Sequence, residues 1–337
     1  MLPHVNESRG YLACSQVCSY PASYGRQPSA NITMDEERVP RRASLKEGHS
    51  PARKPSPHHH PRVTFLTQPE VVIIESSQAN RPKNRIKITK QLRESFPGTE
   101  VTDHMLSEAA KLFSENYGVW GKASPLSGKR VSFNARRLRE QCLPDGVATC
   151  YVRVTVDGTL AGNVFACRWS CNGMTICWIT QLVVKKDYRE QGLAGCLLNA
   201  LREDTDDVYG IISSHPAALL AAARAYGTTI ERVSLDFIAE NAGSIMKASP
   251  ISYVRDSGLR GTLFDEKDCT GLVSGVDTKF LVDHDEPLEA LERIRERWDW
   301  PLGELPDGHE YLLIIRRTRR RSRSRSVPKS AGNDIVS

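Results

Sequence analysis

Apolar positions settle into a regular rhythm only from about Val101 onward. Met105, Ala109, Leu112 and Phe113 recur at helical spacing behind the capping candidates Thr102 and Asp103, and predict a first helix. Ser132 is the expected cap of a second helix with the apolar stripe Ala135, Leu138 and Cys142. The period then falls to two. Cys150, Val152, Val154 and Val156 alternate with Tyr151, Arg153 and Thr155, and Asp157-Gly158 supplies a hairpin turn. A second apolar run, Leu160 to Trp169, ends at the turn Asn172-Gly173, and a third strand is expected from Met174 to Val184.

After this meander the helical period returns. Leu193, Leu197, Leu198 and Leu201 mark a helix behind Gly192, and Tyr209-Gly210-Ile211-Ile212-Ser213 reads as a short strand. Pro216 suits the first position of an alanine-rich helix from Ala217 to Tyr226. A strand–helix–strand step requires a parallel crossover, so the expected fold is α/β with a mixed sheet, antiparallel on one side and parallel at this step. Further on, Ser234 to Met246 and Glu286 to Trp298 read as helices, with strands expected over Gly271 to Val282 and Tyr311 to Ile315.

The flanks have a different composition. Residues 1–95 are expected to be a disordered N-terminal region, residues 96–316 one domain, and residues 317–337 a disordered basic Arg/Ser-rich tail. Val71-Val72-Ile73-Ile74 is an apolar island in the first region, either a docking segment or a stray strand. The formal net charge is +6, and much of it sits in the tail from Arg316 to Ser326. That tail is suited to contacts with RNA, an acidic protein or an import receptor. Arg41-Arg42-Ala43-Ser44-Leu45 has the form of a basophilic kinase site. No apolar run is long enough for a membrane span, and the N-terminus has no secretory pattern. Several of the nine cysteines fall inside apolar runs, as reduced thiols do. An intracellular protein, cytoplasmic or nuclear, is expected. Cys14/Cys18 and Cys167/Cys171 have spacing that admits a metal, but neither pair has the further ligands a zinc site needs, so no metal is expected. Oligomeric state is not legible.

The segment richest in chemistry runs from Gln181 through Arg189-Glu190-Gln191-Gly192-Leu193-Ala194. A strand ends, a short loop turns, and a helix starts on small residues. Such a turn aims backbone N–H groups and the positive end of a helix dipole at one place, which suits a diphosphate. Gly192 keeps Cβ out of the way, and Ala194 keeps the helix start narrow. The string is neither a dinucleotide fingerprint nor a Walker loop, lacking both G-x-G-x-x-G and G-K-[ST].

Arg189 to Ala194 resembles the acetyl-CoA-binding motif of the GNAT superfamily of N-acyltransferases, Q/R-x-x-G-x-G/A. Leu182-Val183-Val184 and Tyr188-Arg189 match the lead-in to that motif. The resemblance extends over the element order from Asp103 to Tyr226, about half the chain. It implies a GNAT-like fold with a splayed parallel strand pair, one strand ending at Val184 and the other at Ser213. It also implies acetyl-CoA (or another acyl-CoA) as cosubstrate. The pantetheine arm would meet the backbone of Leu182 and Val184, with an oxyanion donor at Val183 or Val184. The diphosphate would meet the amides from Gln191 to Ala194, with Arg189, Glu190 and Ser214 beside it.

The proton-transfer groups are less clear. Relatives often carry a tyrosine four residues before the glycine that follows the second crossover helix. Counting back from Gly227 gives Ala223, with Tyr226 nearby but turned around the helix. His215, after Ser213-Ser214, is either a base or acid at the mouth of the V or a helix cap. Thr180 and Gln181 stand where relatives often have a carboxylate, and Gln181 is a candidate for ordering a water. Asp236 and Glu115 are further candidates, and Tyr117, Trp120 and Trp169 could shape an acceptor pocket. The expected catalytic set is His215, Gln181 and Tyr226. The expected activity is acyl transfer by direct attack of an amine in a ternary complex, on a small molecule or a protein lysine. The alternatives are a catalytically weak acyl-CoA-binding module and a nucleic-acid-associated interaction protein.

Overall fold

The computed structural model describes residues 70–74 and 89–318. The tail from residue 319, the kinase-like segment at Ser44 and the Cys14/Cys18 pair lie outside the described residues, as do the roles expected of them. Nine strands form one sheet among the described residues: β1 (Glu70–Ile74), β2 (Thr89–Pro97), β3 (Ala148–Val156), β4 (Thr159–Cys171), β5 (Met174–Val184), β6 (Val208–Ser213), β7 (Gly258–Arg260), β8 (Gly275–Asp277) and β9 (His309–Arg316). Their spatial order is β1-β2-β3-β4-β5-β6-β9-β8-β7. Every pairing is antiparallel except β5–β6.

The meander follows from its turns. Asp157-Gly158 and Asn172-Gly173 both take positive φ, at 49° and 80° and at 50° and 75°, as two-residue hairpins require. Helices α1 (Asp103–Asn116) and α2 (Ala135–Cys142) lie on one face of the sheet, where their apolar stripes share a core with Tyr151, Phe165 and Val183. The Thr102 hydroxyl caps α1, accepting from Met105 N at 3.2 Å. Asn134, not Ser132, caps α2, accepting from Arg137 N at 2.9 Å. The crossover helix α3 (Leu193–Ala200) packs on β3, β4 and β5, and against α4 (Pro216–Ala225). Strand alternation puts α3 on the opposite face from α1: Phe165 points to α1, while Arg168 reaches the α3 end at Leu201. The chain continues through α5 (Leu235–Lys247), α6 (Ser252–Arg255) and α7 (Asp285–Arg295), and α7 lies along α4.

The sheet differs from the sequence expectation at two places. The sheet begins before residue 96, because Thr89–Pro97 pairs with β3 and the apolar island at Val71 to Ile74 pairs with Thr89 to Leu92. The expected strand over Gly271 to Val282 shrinks to Gly275–Asp277. Backbone approaches very closely there: a Cβ on Gly275 would meet the Glu310 carbonyl at 2.6 Å. No helix among the described residues is long and apolar enough to cross a membrane.

Candidate functional site

The parallel strands β5 and β6 pair from Ile176/Val208 to Ile179/Ile211 and then part. Beyond that point β5 stays with β4 up to Val184, while β6 stays with β9 up to Ser213. A bulge explains the parting. Across β4, Phe165 faces Gln181 and Ala166 faces Ile179, so Thr180 is an extra residue on β5. Its carbonyl accepts from the Tyr253 hydroxyl at 3.1 Å. Below the fork, Trp178 lies across Gly210, where a Cβ would come within 2.1 Å of the indole. Past the fork, Lys185 N bonds to Ala161 O at 2.8 Å. By antiparallel alternation Val183 also turns its backbone to β4, and Leu182 and Val184 turn theirs toward the gap. The gap opens into a cavity of about 960 Å³, lined by Leu182, Val183 and Val184, the start of α3, Ser213 to His215, the outer face of α4, and α7.

The loop at the head of the cavity is bent by two left-handed residues, Glu190 at φ +61° and Gly192 at φ +81°. Gly192 sits at the N-cap of α3 with no side-chain cap. The first helical bond of α3 runs from Cys196 N to Gly192 O at 3.0 Å. Among the described residues, no group accepts from the amides of Gly192, Leu193, Ala194 or Gly195. A Cβ on Gly192 or Gly195 would meet nothing within 4 Å, so this end of the helix is open. Four amides without an acceptor and an unopposed helix dipole make a favourable place for an anion.

Around this opening the side chains form a charged cluster. Glu286, in the first turn of α7, pairs with the Arg189 guanidinium and with Lys186 Nζ at 3.0 Å, and lies 3.8 Å from His215 Nε2. Arg189 also donates to Asn116 O at 2.7 Å and Val184 O at 3.2 Å, tying α1, β5 and α7 together. His215, with Arg189 and Lys186 behind it, holds the Glu286 carboxyl well below the usual carboxylate range. A depressed pKa contributes stability that is present above the unfolded carboxylate pKa, about 4.3, and is lost as pH falls below it. Glu286→Gln is therefore expected to lower the melting temperature at pH 7 and to converge with the parent as pH drops below about 4. Thermal melts across pH check this, and a gap that widens toward acid would refute it.

The expected site residues do not all meet here. Leu182, Val183, Val184, Arg189, Glu190, Gly192, Leu193, Ala194, Ser214 and His215 line the cavity. Gln191 does not line the cavity, and its side-chain Nε2 donates to Asp187 O at 3.1 Å. Gln181 is fully buried and does not line the cavity, because the bulge at Thr180 shifts the alternation and turns it with Phe165 toward the α1 core. Tyr226 is also buried away from the cavity, with its ring stacked on Tyr209 at 3.7 Å between centroids. His215 caps α4: its Nδ1 accepts from Ala217 N at 3.3 Å, so the neutral ring carries its proton on Nε2, toward Glu286. Of the other candidates, Tyr117 lines the cavity, Asp236 and Glu115 are exposed outside it, and Trp120 and Trp169 pack against Phe280 and Trp178.

Sequence reasoning missed Glu286 and Lys186 at this site. It also missed Arg168, a buried bracket whose Nε donates to Asp206 Oδ1 at 2.8 Å and whose Nη2 donates to Asp206 Oδ2 at 3.1 Å. The signal for Arg168 was present, as a lone charge inside an apolar strand.

No family model matches the chain, and no curated protein does. Among solved structures it is similar to the ribosomal-protein-S18-alanine N-acetyltransferase of Escherichia coli, at 14% identity over 40% of this chain and 76% of that one, with a TM-score of 0.28. It is similar to the GNAT domain of PAT from S. lividans, at 12% identity over 40% of this chain and 80% of that one, TM-score 0.30. It is also similar to the ribosomal-protein-alanine N-acetyltransferase of Brucella melitensis biovar Abortus 2308, at 21% identity over 32% and 68%, TM-score 0.24. Likenesses of this size assign neither activity nor substrate to the chain. Its own topology is a mixed α/β sheet with an antiparallel meander, a parallel crossover and a splayed strand pair beside an open helix start, the arrangement expected from the Arg189–Ala194 resemblance.

Proposed function

We propose that this chain binds acetyl-CoA, or a related acyl-CoA, and transfers the acyl group directly to an amine. The observation that carries the reading is the row of acceptor-free amides from Gly192 to Gly195, opening into the cavity where β5 and β6 part. A diphosphate satisfies those amides, and an extended amide-bearing arm can pair with the gap-facing backbone of Leu182 and Val184 in place of the missing strand contacts. The same gap-facing N–H groups are suited to hold the oxyanion formed when the amine attacks the thioester. The attacking amine must be neutral, and a lysine-like amine with pKa about 10.4 needs a proton acceptor at neutral pH. His215 lines the cavity, but it can serve as that base only by giving up its Nδ1 bond to Ala217. The acceptor, small molecule or protein lysine, is left open.

One observation favours a second reading, a binding module with weak or no turnover. Next to His215 the cavity face of α4 presents Ala217, Ala218, Leu220 and Ala221, none of which can accept or donate a proton. Its one polar side chain, Arg224, is at the far end of the helix, and Ala223 is buried. Thiol release from acetyl-CoA, followed with a panel of amines, separates the two. Amine-dependent release is expected, whereas saturable binding with no release above the uncatalysed rate would favour the binding module.

A further inference from the structure

The cavity has a second charged end. Helices α4 and α7 run side by side in the same sense. At one end Glu286 of α7 approaches the α4 cap His215, and at the other the Arg224 guanidinium lies 5.3 Å above the Trp298 ring. Small residues, Ala217 and Ala221 on α4 and Ala290 on α7, line the trough between them. Beyond the alanines, Arg224, Arg293 and Arg297 all line the same cavity. Among the described residues none of these three has a carboxylate partner. Arg295 does, with Glu304 at 2.8 Å, and so does Arg189 at the opposite end. Arg293 on α7 and Arg297 in the turn that follows it are four residues apart and line the same side of the cavity. Three guanidiniums on facing walls, with no acid between them, repel one another and favour an arriving anion.

Resting on the acyl-CoA reading above, we infer that this far end is a second anion subsite, in which Arg224, Arg293 and Arg297 take the 3′-phosphate of the CoA nucleotide. The spacing suits it. His215 to Arg224 spans nine residues, about 13 Å of helix, and helical side chains lean back toward the N-terminus. The guanidiniums therefore stand roughly two helical turns from the His215 end of the cavity, about the length of a nucleoside. The alanine trough leaves room for that nucleoside between the two anion sites. An anionic group on the acceptor has the same chemistry, and the ligand pair below tells the two sources apart.

The test is calorimetric titration of the full-length chain with CoA and with 3′-dephospho-CoA, which differ only in the phosphate at issue. CoA is expected to bind roughly tenfold or more tighter, the size of a charge-assisted hydrogen bond or two. The double variant Arg293→Glu/Arg297→Glu is expected to lose this preference while binding dephospho-CoA as the parent does. Equal affinity of the parent for both ligands would overturn the subsite and leave the acyl-CoA reading standing. Equal weakening of both ligands in the variant would also overturn it, since that is what general electrostatic steering does. Absence of binding by either ligand would overturn the acyl-CoA reading itself.

Discussion

Asp206→Ala is expected to cost about 3–5 kcal/mol of folding free energy, the usual penalty for stripping one partner from a buried ion pair. Asp206 is fully buried, and Arg168 is only 8% exposed. Their two-pronged bond joins β4 to the loop between α3 and β6, and the same guanidinium donates to Leu201 O at the end of α3. Glu203, 3.0 Å from Arg168, lies partly in solvent and replaces little of the lost charge. Without Asp206 the guanidinium, buried beside Cys150 in the strand core, keeps only the partly exposed Glu203 as a counter-charge. Replacing both partners with apolar residues, Arg168→Met with Asp206→Leu, is expected to recover much of the loss, because no charge then remains buried. Urea unfolding gives both numbers. A loss under about 1 kcal/mol for Asp206→Ala would mean that the pair is dispensable.

The second large effect is on binding. Gly192→Glu is expected to abolish the thermal stabilisation by acetyl-CoA, which for a ligand at 100 times its dissociation constant is about 2.7 kcal/mol. The variant should still fold. A Cβ at Gly192 meets nothing within 4 Å, so its direct cost is the left-handed backbone at φ +81°, about 1–2 kcal/mol. The new carboxylate would lie beside the open amides, satisfy them from within the chain and repel a diphosphate. Gly192→Ala carries the same backbone cost without the charge, and is expected to keep most of the ligand shift. If both variants lose it equally, loop geometry and not anion binding is responsible.

How much of this was legible depended on whether the signal was local. The meander was, because Asp157-Gly158 and Asn172-Gly173 demand positive φ and the strands between them alternate. The open start of α3 was legible for the same reason: Gly192 at a strand-to-helix turn is a backbone statement. Strand β2 was not, since Thr-Lys-Gln-Leu-Arg-Glu-Ser-Phe-Pro is mostly polar and gains its strand character from pairing with β3, some 60 residues away. The Thr180 bulge was not, because a single extra residue leaves no composition mark yet reverses the facing of everything after it, which is why Gln181 is in the core. Glu286 was read only as part of an amphipathic helix, and its meeting with Arg189 is a tertiary event across 97 residues. The dual position of His215, cap and cavity wall, was legible as an alternative, and the structure has both.

The most direct measurement is titration of the full-length chain with 3′-dephospho-acetyl-CoA alongside acetyl-CoA and, in parallel, with acetyl-pantetheine, which has the thioester arm but neither diphosphate nor nucleoside. Saturable one-site binding of acetyl-CoA is expected, with acetyl-pantetheine weaker than 3′-dephospho-acetyl-CoA by roughly a hundredfold or more, as loss of several charge-assisted hydrogen bonds implies. No saturable binding of acetyl-CoA, or equal binding of 3′-dephospho-acetyl-CoA and acetyl-pantetheine, would contradict a diphosphate cradle at Gly192.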